Sequence, residues 1–397
     1  MPVVVQKYGG SSVADPDKLL TVARRVVATR EAGKDVVVVV SAMGRTTDEL
    51  LQLAREIAPD PSGRELDMLL SVGERITMSL LCMAIQSLGH EAISFTGSQC
   101  GIITNDAHSK ARIIEVRPVR IQDELANGRI VIVAGYQGVS YKREITTLGR
   151  GGSDTTAVAL AAALGAEYCE ICSDVDGVCS ADPNVVPEAR RIAELGYEQM
   201  QEMATSGARV LAADAVEFAK NQGIAIYLRA ADGGEGTLVR KADPARLNKV
   251  TGVTHEERVM LLHGDPGILD GVLGFLDEQQ APGKQLVHLE GEDGGLFSLL
   301  ISAEGLMAPD ALINALRERF GEALSVNDDL AAVSLLGEGI SEDHRNLRHA
   351  AGTLAEAGIA AQGTHTSRFR ITFLVSRARV QDTARLLHRV FVEEQAV

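Results

Sequence analysis

Along the first 240 residues, short β-branched runs alternate with longer stretches whose apolar positions recur every three or four residues. Runs at 3–7, 35–41, 92–96, 130–134, 168–173 and 224–229 predict strands. Between them, 17–32, 67–88, 117–127, 154–164 and 197–222 predict helices. This alternation predicts an α/β domain, a mostly parallel sheet with helices on both faces. Ligands of such sheets bind at the carboxyl ends of strands, where the connecting loops gather. The charged, Gly-rich stretch Ala231-Asp232-Gly233-Gly234-Glu235-Gly236 and then Lys241-Ala242-Asp243-Pro244 break the pattern. Beyond it the units are shorter: strand 259–263, helix 267–279, strand 296–303 and helix 309–320, then 331–336, 344–357, 369–375 and 380–393. The spacing predicts a first domain over 1–245 and two α+β units of βαββαβ type over 246–397.

Composition adds exclusions. At 397 residues, 45% hydrophobic and 23% charged, the chain is long enough to bury sizeable cores without covalent staples. The net charge of −15 argues against a nucleic-acid footprint, although a few local donors can still hold one small phosphorylated molecule. From Leu247 onward there are 13 Lys/Arg against 22 Asp/Glu, and before it 26 against 32, so most of the acidic excess sits in the tail. The run Val36 to Val40 is far shorter than the ~18 residues of a membrane span. The start Met1-Pro2-Val3 lacks a basic leader pattern, so a cytoplasmic location and no membrane partner are expected. The five cysteines, Cys82, Cys100, Cys169, Cys172 and Cys179, read as reduced thiols. Cys169 and Cys172 have CxxC spacing but lie in an apolar strand-like run with no second pair, so a structural role is expected.

Four Gly-rich stretches follow predicted strands. In Lys7-Tyr8-Gly9-Gly10-Ser11-Ser12, two glycines allow close backbone approach, and Lys7 adds a cation at the same mouth. Its spacing matches neither the P-loop nor the dinucleotide fingerprint. Val40-Ser41-Ala42-Met43-Gly44, followed by Thr46-Thr47-Asp48-Glu49, offers hydroxyls to a compact polar ligand, with Thr47 or Asp48 able to cap a helix. Thr146 through Thr156 places three glycines around Arg150, then Ser153-Asp154 at the mouth of an Ala-rich helix. That combines an anion cradle with a bidentate fork for a carboxylate. Ser173-Asp174-Val175-Asp176-Gly177-Val178, then Cys179 and Ala181-Asp182-Pro183-Asn184, places acids after a buried strand, where metal, ribose or an adenine edge could be bound. A calcium loop is disfavoured, because the Glu at its twelfth position is missing. Glu74 stands inside the apolar stretch Leu70-Ser71-Val72-Gly73-Glu74-Arg75.

Taken together and in this order, the motifs resemble the aspartokinase branch of the amino-acid-kinase family, and the tail is similar to its paired ACT units. The resemblance implies ATP-dependent phosphorylation of the side-chain carboxylate of L-aspartate, the first step of the aspartate-derived amino-acid pathway, with Mg²⁺ accompanying ATP. It implies Lys7 and Asp154 as catalytic residues. Ser41, Thr47, Glu74, Arg150 and Ser153 would hold the substrate, with Glu74 on its ammonium and Arg150 on a carboxylate. Lys7, Gly9, Gly10, Ser11, Ser173, Asp174, Cys179, Asp182 and Arg209 would hold the nucleotide. No side-chain metal site is implied. The ACT units would run 263–328 and 329–397, the second taking a strand near 249–255. They would associate into a homodimer and bind lysine or threonine as effector near Asp265-Pro266-Gly267. Cys179, Asn184, Arg209 and Ala212-Ala213-Asp214 depart from the family pattern, and the first two, an aromatic and a cation lost, imply a looser nucleotide pocket. Two rivals share these residues: a kinase of the same fold acting on another acid such as glutamate, and a regulatory binding protein with weak turnover.

Overall fold

Asp35–Val40 is buried at every position, as expected of a central parallel strand covered on both faces. It belongs to the first of two units in a computed structural model that describes residues 1–59, 61–149, 151–208, 210–242, 249–279, 281–290, 295–304, 306 and 308–394. That unit comprises Met1–Cys179, Arg191–Thr205 and Arg209–Pro244. Its elements are β1 (Val3–Tyr8), α1 (Pro16–Glu31), β2 (Asp35–Val40), α2 (Thr46–Ile57), α3 (Gly63–Leu70), α4 (Val72–Ser87), β3 (Ala92–Phe95), β4 (Ile102–Thr104) and β5 (Ile113–Val116). There follow α5 (Val119–Ala126), β6 (Ile130–Ala134), β7 (Gln137–Ser140), β8 (Ile145–Thr147), α6 (Gly152–Ala163), β9 (Tyr168–Ser173), β10 (Glu194–Gly196), α7 (Tyr197–Thr205), α8 (Ala213–Gln222), β11 (Ile226–Ala230) and β12 (Thr237–Arg240).

The main sheet runs β10-β12-β11-β9-β1-β2-β6-β3 and is parallel except where β11 meets β12. Successive strands leave β1 in both directions, which makes its carboxyl end a topological switch point. On one face Val4, Val36, Val38 and Ile132 pack against Val22, Val26, Leu81 and Ile85 of α1 and α4. On the other lies α6, whose Ala157, Val158, Leu160 and Ala161 are buried. A second sheet, β5-β4-β7-β8, was not predicted, since strands of three or four residues are too short to show a period.

The predicted helix at 67–88 is two helices, broken at Ser71. The combined run Gly63–Ser87 has the length and composition of a membrane crossing, with a best window at mean hydropathy 1.5. Reading uninterrupted apolar runs overlooked it, because Glu74 and Arg75 divide it. More than half of that window (56%) is buried inside the protein, and α4 lends Leu81 and Ile85 to the core, so it is a core helix. The predicted helix at 197–222 is also two, α7 and α8. Between them Gly207 takes φ +107°, and a Cβ there would lie 2.1 Å from the His255 carbonyl oxygen.

The second unit comprises Ser180–Arg190, Ser206–Ala208 and Ala245–Val397. Its elements are β13 (Gly252–Gly264), α9 (Leu269–Glu278), β14 (Gly283–Leu289), β15 (Leu296–Ser302), α10 (Pro309–Phe320), β16 (Leu324–Leu336), α11 (Arg345–Glu356), β17 (Gly363–Thr366), β18 (Arg370–Ser376) and α12 (Val380–His388). The sheet runs β14-β15-β13-β16-β18-β17, antiparallel throughout. Strands β13 and β16 are twice the expected length, and each serves two halves. Val259–Gly264 of β13 pairs with β15, whereas Gly252–Glu256 lies opposite the part of β16 that pairs with β18. Register shifts between Glu256 and Leu261 mark the change. One half is cored by Met260, Leu262, Val272, Phe297 and Leu316, the other by Val253, Val333, Leu354, Phe373 and Leu387. The segment Ser180–Arg190 joins the latter: Ala181, Val185 and Val186 enter its core, and Arg385 Nε donates to the Val185 carbonyl (2.7 Å).

Candidate active site

Lys7, near the end of β1, points its ammonium at Asp154 in the first turn of α6, with Nζ and Oδ1 2.6 Å apart. Both side chains are nearly buried, at 12% and 10% exposure, so the pair is held away from bulk screening. The other Asp154 oxygen accepts from the Ala212 N–H (3.3 Å), just ahead of α8. Gly9 and Gly10 continue from β1. The Gly9 N–H donates to the Cys172 carbonyl (3.2 Å), and a Cβ on Gly10 would lie 2.9 Å from the Ala42 carbonyl oxygen. Only a glycine lets the first two loops touch in this way; they are joined by Gly44 N–H to Gly10 O (3.1 Å) and Ser41 N–H to Tyr8 O (3.1 Å).

Glu74 enters the same mouth from the start of α4, and Gly73 lets that helix approach, since a Cβ there would lie 2.8 Å from the Ala42 Cβ. One Glu74 oxygen accepts the Ala42 N–H (3.1 Å). The other is buried with no partner among the described residues. Burial pushes its pKa up to about 7 against two backbone hydrogen bonds that lower it. A half-satisfied buried carboxylate is costly in the empty protein and suits an incoming cation.

The Gly-rich turn between β8 and α6 is packed from several sides. Gly151 takes φ +75°, with Ala212 in the space its Cβ would need (2.4 Å from the Ala212 Cβ). Ser153 sits over Gly135, where a Cβ would lie 2.9 Å from its own. Tyr136, at φ +66°, follows β6; its N–H donates to Thr156 Oγ1 (3.2 Å), and its carbonyl accepts from Leu148 N–H (2.9 Å). Burial raises its phenol, a hydrogen bond to Thr147 opposes this, and the Glu74 and Asp67 carboxylates add to the rise.

Residues 2–230 match the amino acid kinase family. Across 405 aligned residues the chain is 43% identical to the aspartokinase of Mycolicibacterium smegmatis, covering 98% of this chain and 96% of that one. The chain belongs to the aspartokinase branch of the amino acid kinase family. Two solved structures of E. coli aspartokinase III, each 25% identical, align with it nearly end to end. The R-state complex with aspartate and ADP gives a TM-score of 0.81 over 97% of this chain and 99% of that one. The T-state complex with lysine and aspartate gives 0.77 over 98% and 99%.

Of the residues read as the site, Lys7, Gly9, Gly10 and Ser41 lie at the ends of β1 and β2, Glu74 holds the Ala42 N–H, and Lys7 and Asp154 pair directly. Ser173 ends β9 beside β1, with its hydroxyl and the Val175 backbone hydrogen-bonded to each other; the exposed Asp174 follows. Ser11 is exposed, and its carbonyl accepts from Lys18 Nζ (3.0 Å). Thr47 stands in the first turn of α2, although Arg45 occupies the cap position and Thr46 makes the local bond, to Met43 O (2.7 Å). Cys179 is half-buried, and its backbone forms an isolated antiparallel β-bridge with Arg191. Asp182 lies in the segment that belongs to the second unit, where it accepts from Asn184 N–H (2.9 Å). Arg150 and Arg209 lie outside the described residues.

Asp176 turns inward to accept from Gly236 N–H (3.1 Å) and serves the turn. Cys169 and Cys172 are buried inside β9, and burial pushes the Cys172 thiol up to about 12. The sequence motifs give no role to Asp67, Gly135 or Tyr136, and mark Ala212 only as a departure from the family pattern. The first sits within the same stretch as Glu74, and Gly135-Tyr136 follows a predicted strand, which was the available signal.

Proposed function

We propose that this aspartokinase transfers the γ-phosphoryl group of ATP to the side-chain carboxylate of L-aspartate, giving 4-phospho-L-aspartate and ADP. The observation that carries the reading is the Lys7–Asp154 pair beside the Gly9-Gly10 turn, together with a buried Glu74 oxygen left unpartnered while the other holds Ala42 of the neighbouring loop. A carboxylate nucleophile is already ionised at neutral pH, so the protein needs no general base. Its work is to position two anions and neutralise charge on the group in flight. Lys7, with the Gly10 amide, takes the phosphates, the Gly9 N–H being held instead by the Cys172 carbonyl (3.2 Å), and Asp154 fixes the ammonium of Lys7. Glu74 takes the substrate ammonium, Arg150 its α-carboxylate, and Ser41, Thr47 and Ser153 close the pocket. Ser11, Ser173, Asp174, Cys179, Asp182 and Arg209 serve the nucleotide.

Mg²⁺ fits as a cation that travels on the triphosphate. Among the described residues no cluster of three or more His, Cys, Asp or Glu side chains could hold a metal, and Asp154 is the carboxylate on offer. Bound there, the ion would neutralise phosphate charge. Residues 1–245 are read as the catalytic domain and 246–397 as an intertwined ACT pair. The pair would form a homodimer, for which the edge strand β14 exposes Leu286, Val287 and Leu289. Lysine or threonine would act on this pair. In the loop at Asp265 the Gly267 N–H is already taken by Asp265 Oδ1 (2.7 Å), so an effector carboxylate there would have to displace that bond.

The test is ADP release with aspartate, glutamate or acetylglutamate as acceptor. Aspartate is expected to be turned over fastest; none with aspartate overturns the reading. Lys7→Ala is expected to lower kcat about 10³-fold, and unchanged turnover would remove the assigned phosphate role.

A further inference from the structure

Asp67, in α3, is entirely buried and accepts three donors. Thr147 Oγ1 donates to its Oδ1 (2.6 Å), His108 Nδ1 to its Oδ2 (2.7 Å), and the Ser109 N–H to Oδ1 (3.0 Å) with a longer branch to Oδ2 (3.2 Å). With Asp67 ionised, the geometry requires the proton on His108 Nδ1. The placement of these donors carries the argument. Thr147 ends β8, and the Gly-rich turn that opens α6 begins at the next residue. Its carbonyl accepts from the Ala111 N–H (2.9 Å), tying the 108–111 turn to the same strand end. A Cβ on Gly149 would lie 3.4 Å from the Ser109 carbonyl oxygen, so this turn leans directly on the Gly-rich one. Ser109 itself is held at φ +66°, a conformation that costs a side-chain-bearing residue about 1 kcal/mol and that the Asp67 bond helps maintain. The Thr147 side chain also hydrogen-bonds Tyr136, whose ring lies against Gly152 and within the fields of both Asp67 and Glu74.

A buried carboxylate is a poor device for stability alone, because an apolar residue of similar size avoids its desolvation. What it supplies is direction. We propose that Asp67 is a positioning residue for the amino-acid acceptor: through Thr147 and the His108–Ser109 turn it fixes Leu148 and Gly149, the residues that follow β8 on the way to Ser153. This rests on the reading that the pocket takes an amino acid. It concerns the acceptor side alone, since no Asp67 donor belongs to the Lys7-Gly9-Gly10 turn.

Steady-state kinetics on the full chain test it, using whichever acid the wild type phosphorylates, so that failure with aspartate would count against the proposed substrate and not against Asp67. Asp67→Asn is expected to raise the acceptor KM about tenfold or more, with kcat within about threefold and the KM for ATP within about twofold. Thr147→Val removes one donor with little change in shape and is expected to move the same constant about fivefold, while Thr147→Ser restores it. Amide exchange needs no turnover: peptides spanning 148–153 are expected to exchange at least about tenfold faster in Asp67→Asn, with those spanning 9–12 unchanged. A folded Thr147→Val variant with the wild-type acceptor KM, a parallel rise in both KM values, or unaltered exchange at 148–153 would each overturn the inference.

Discussion

Asp67 and Glu74 are two carboxylates seven residues apart on consecutive helices, both out of reach of solvent, and they have opposite surroundings. Asp67 meets donors on both oxygens, whereas Glu74 takes the Ala42 N–H on one oxygen and leaves the other unpartnered. A saturated buried acid belongs to the architecture. An unsaturated one is waiting for something, and burial holds the Glu74 pKa up at about 7 against the backbone donors it does have. Burial alone does not separate the two roles; the count of donors does.

The comparison breaks most visibly under amide substitution. Glu74→Gln is expected to lower kcat/KM for aspartate by about 10²–10³-fold, because the substrate ammonium loses a desolvated partner. It should leave ADP affinity unaltered, which titration calorimetry reads. A fall under about threefold would show that Glu74 is not the ammonium site.

A smaller effect follows from pH. The substrate ammonium needs Glu74 ionised, and in the empty enzyme that ionisation is centred near 7. Log kcat/KM for aspartate should therefore drop with a slope approaching one below about pH 7 and level above it. Glu74→Gln should abolish that limb; a limb that survives the substitution belongs to another group.

The smallest effect concerns stability, where the two acids should diverge in sign. Glu74 has its folded pKa raised above the unfolded value, so the folded state binds more protons, and stability from this group declines as pH rises from about 4.5 to 7. At pH 8 Glu74→Gln should stabilise the protein by on the order of 1–3 kcal/mol. Asp67→Asn, which turns an acceptor into a donor facing other donors, should destabilise it by about 1–3 kcal/mol. Urea denaturation of both variants measures the pair, and equal signs would erase the distinction.

Much of this was legible beforehand. Long β-branched runs such as Asp35–Val40 announce central strands, and the Gly-rich turns mark the strand and helix ends where Lys7 and Asp154 pair. What stayed hidden has a physical reason in each case. The sheet β5-β4-β7-β8 is made of strands too short to show a period. The break after α7 depends on Gly207 meeting a carbonyl from a distant strand, and Asp182 follows Cys179 closely in sequence yet folds with the other unit. Ala212 in Leu211-Ala212-Ala213-Asp214 looked like an unexplained departure. Its contributions are a backbone N–H toward Asp154 and a side chain small enough to sit against Gly151, and neither is a property that residue type announces.

The shared strands of the second unit carry a lesson about how it can be taken apart. Numbered along the chain, the half built on α9 and α10 has strand order 2-3-1-4. The half built on α11 and α12 reads 1-2-4-3, with its first strand supplied from ahead of the other half by β13. One module is thus threaded through the other, as an inserted clause divides a sentence. Cutting the polypeptide between β15 and β16 cannot release two self-sufficient pieces, because each would leave with a strand the other needs. A bend introduced anywhere along β13 or β16 is likewise shared by both modules.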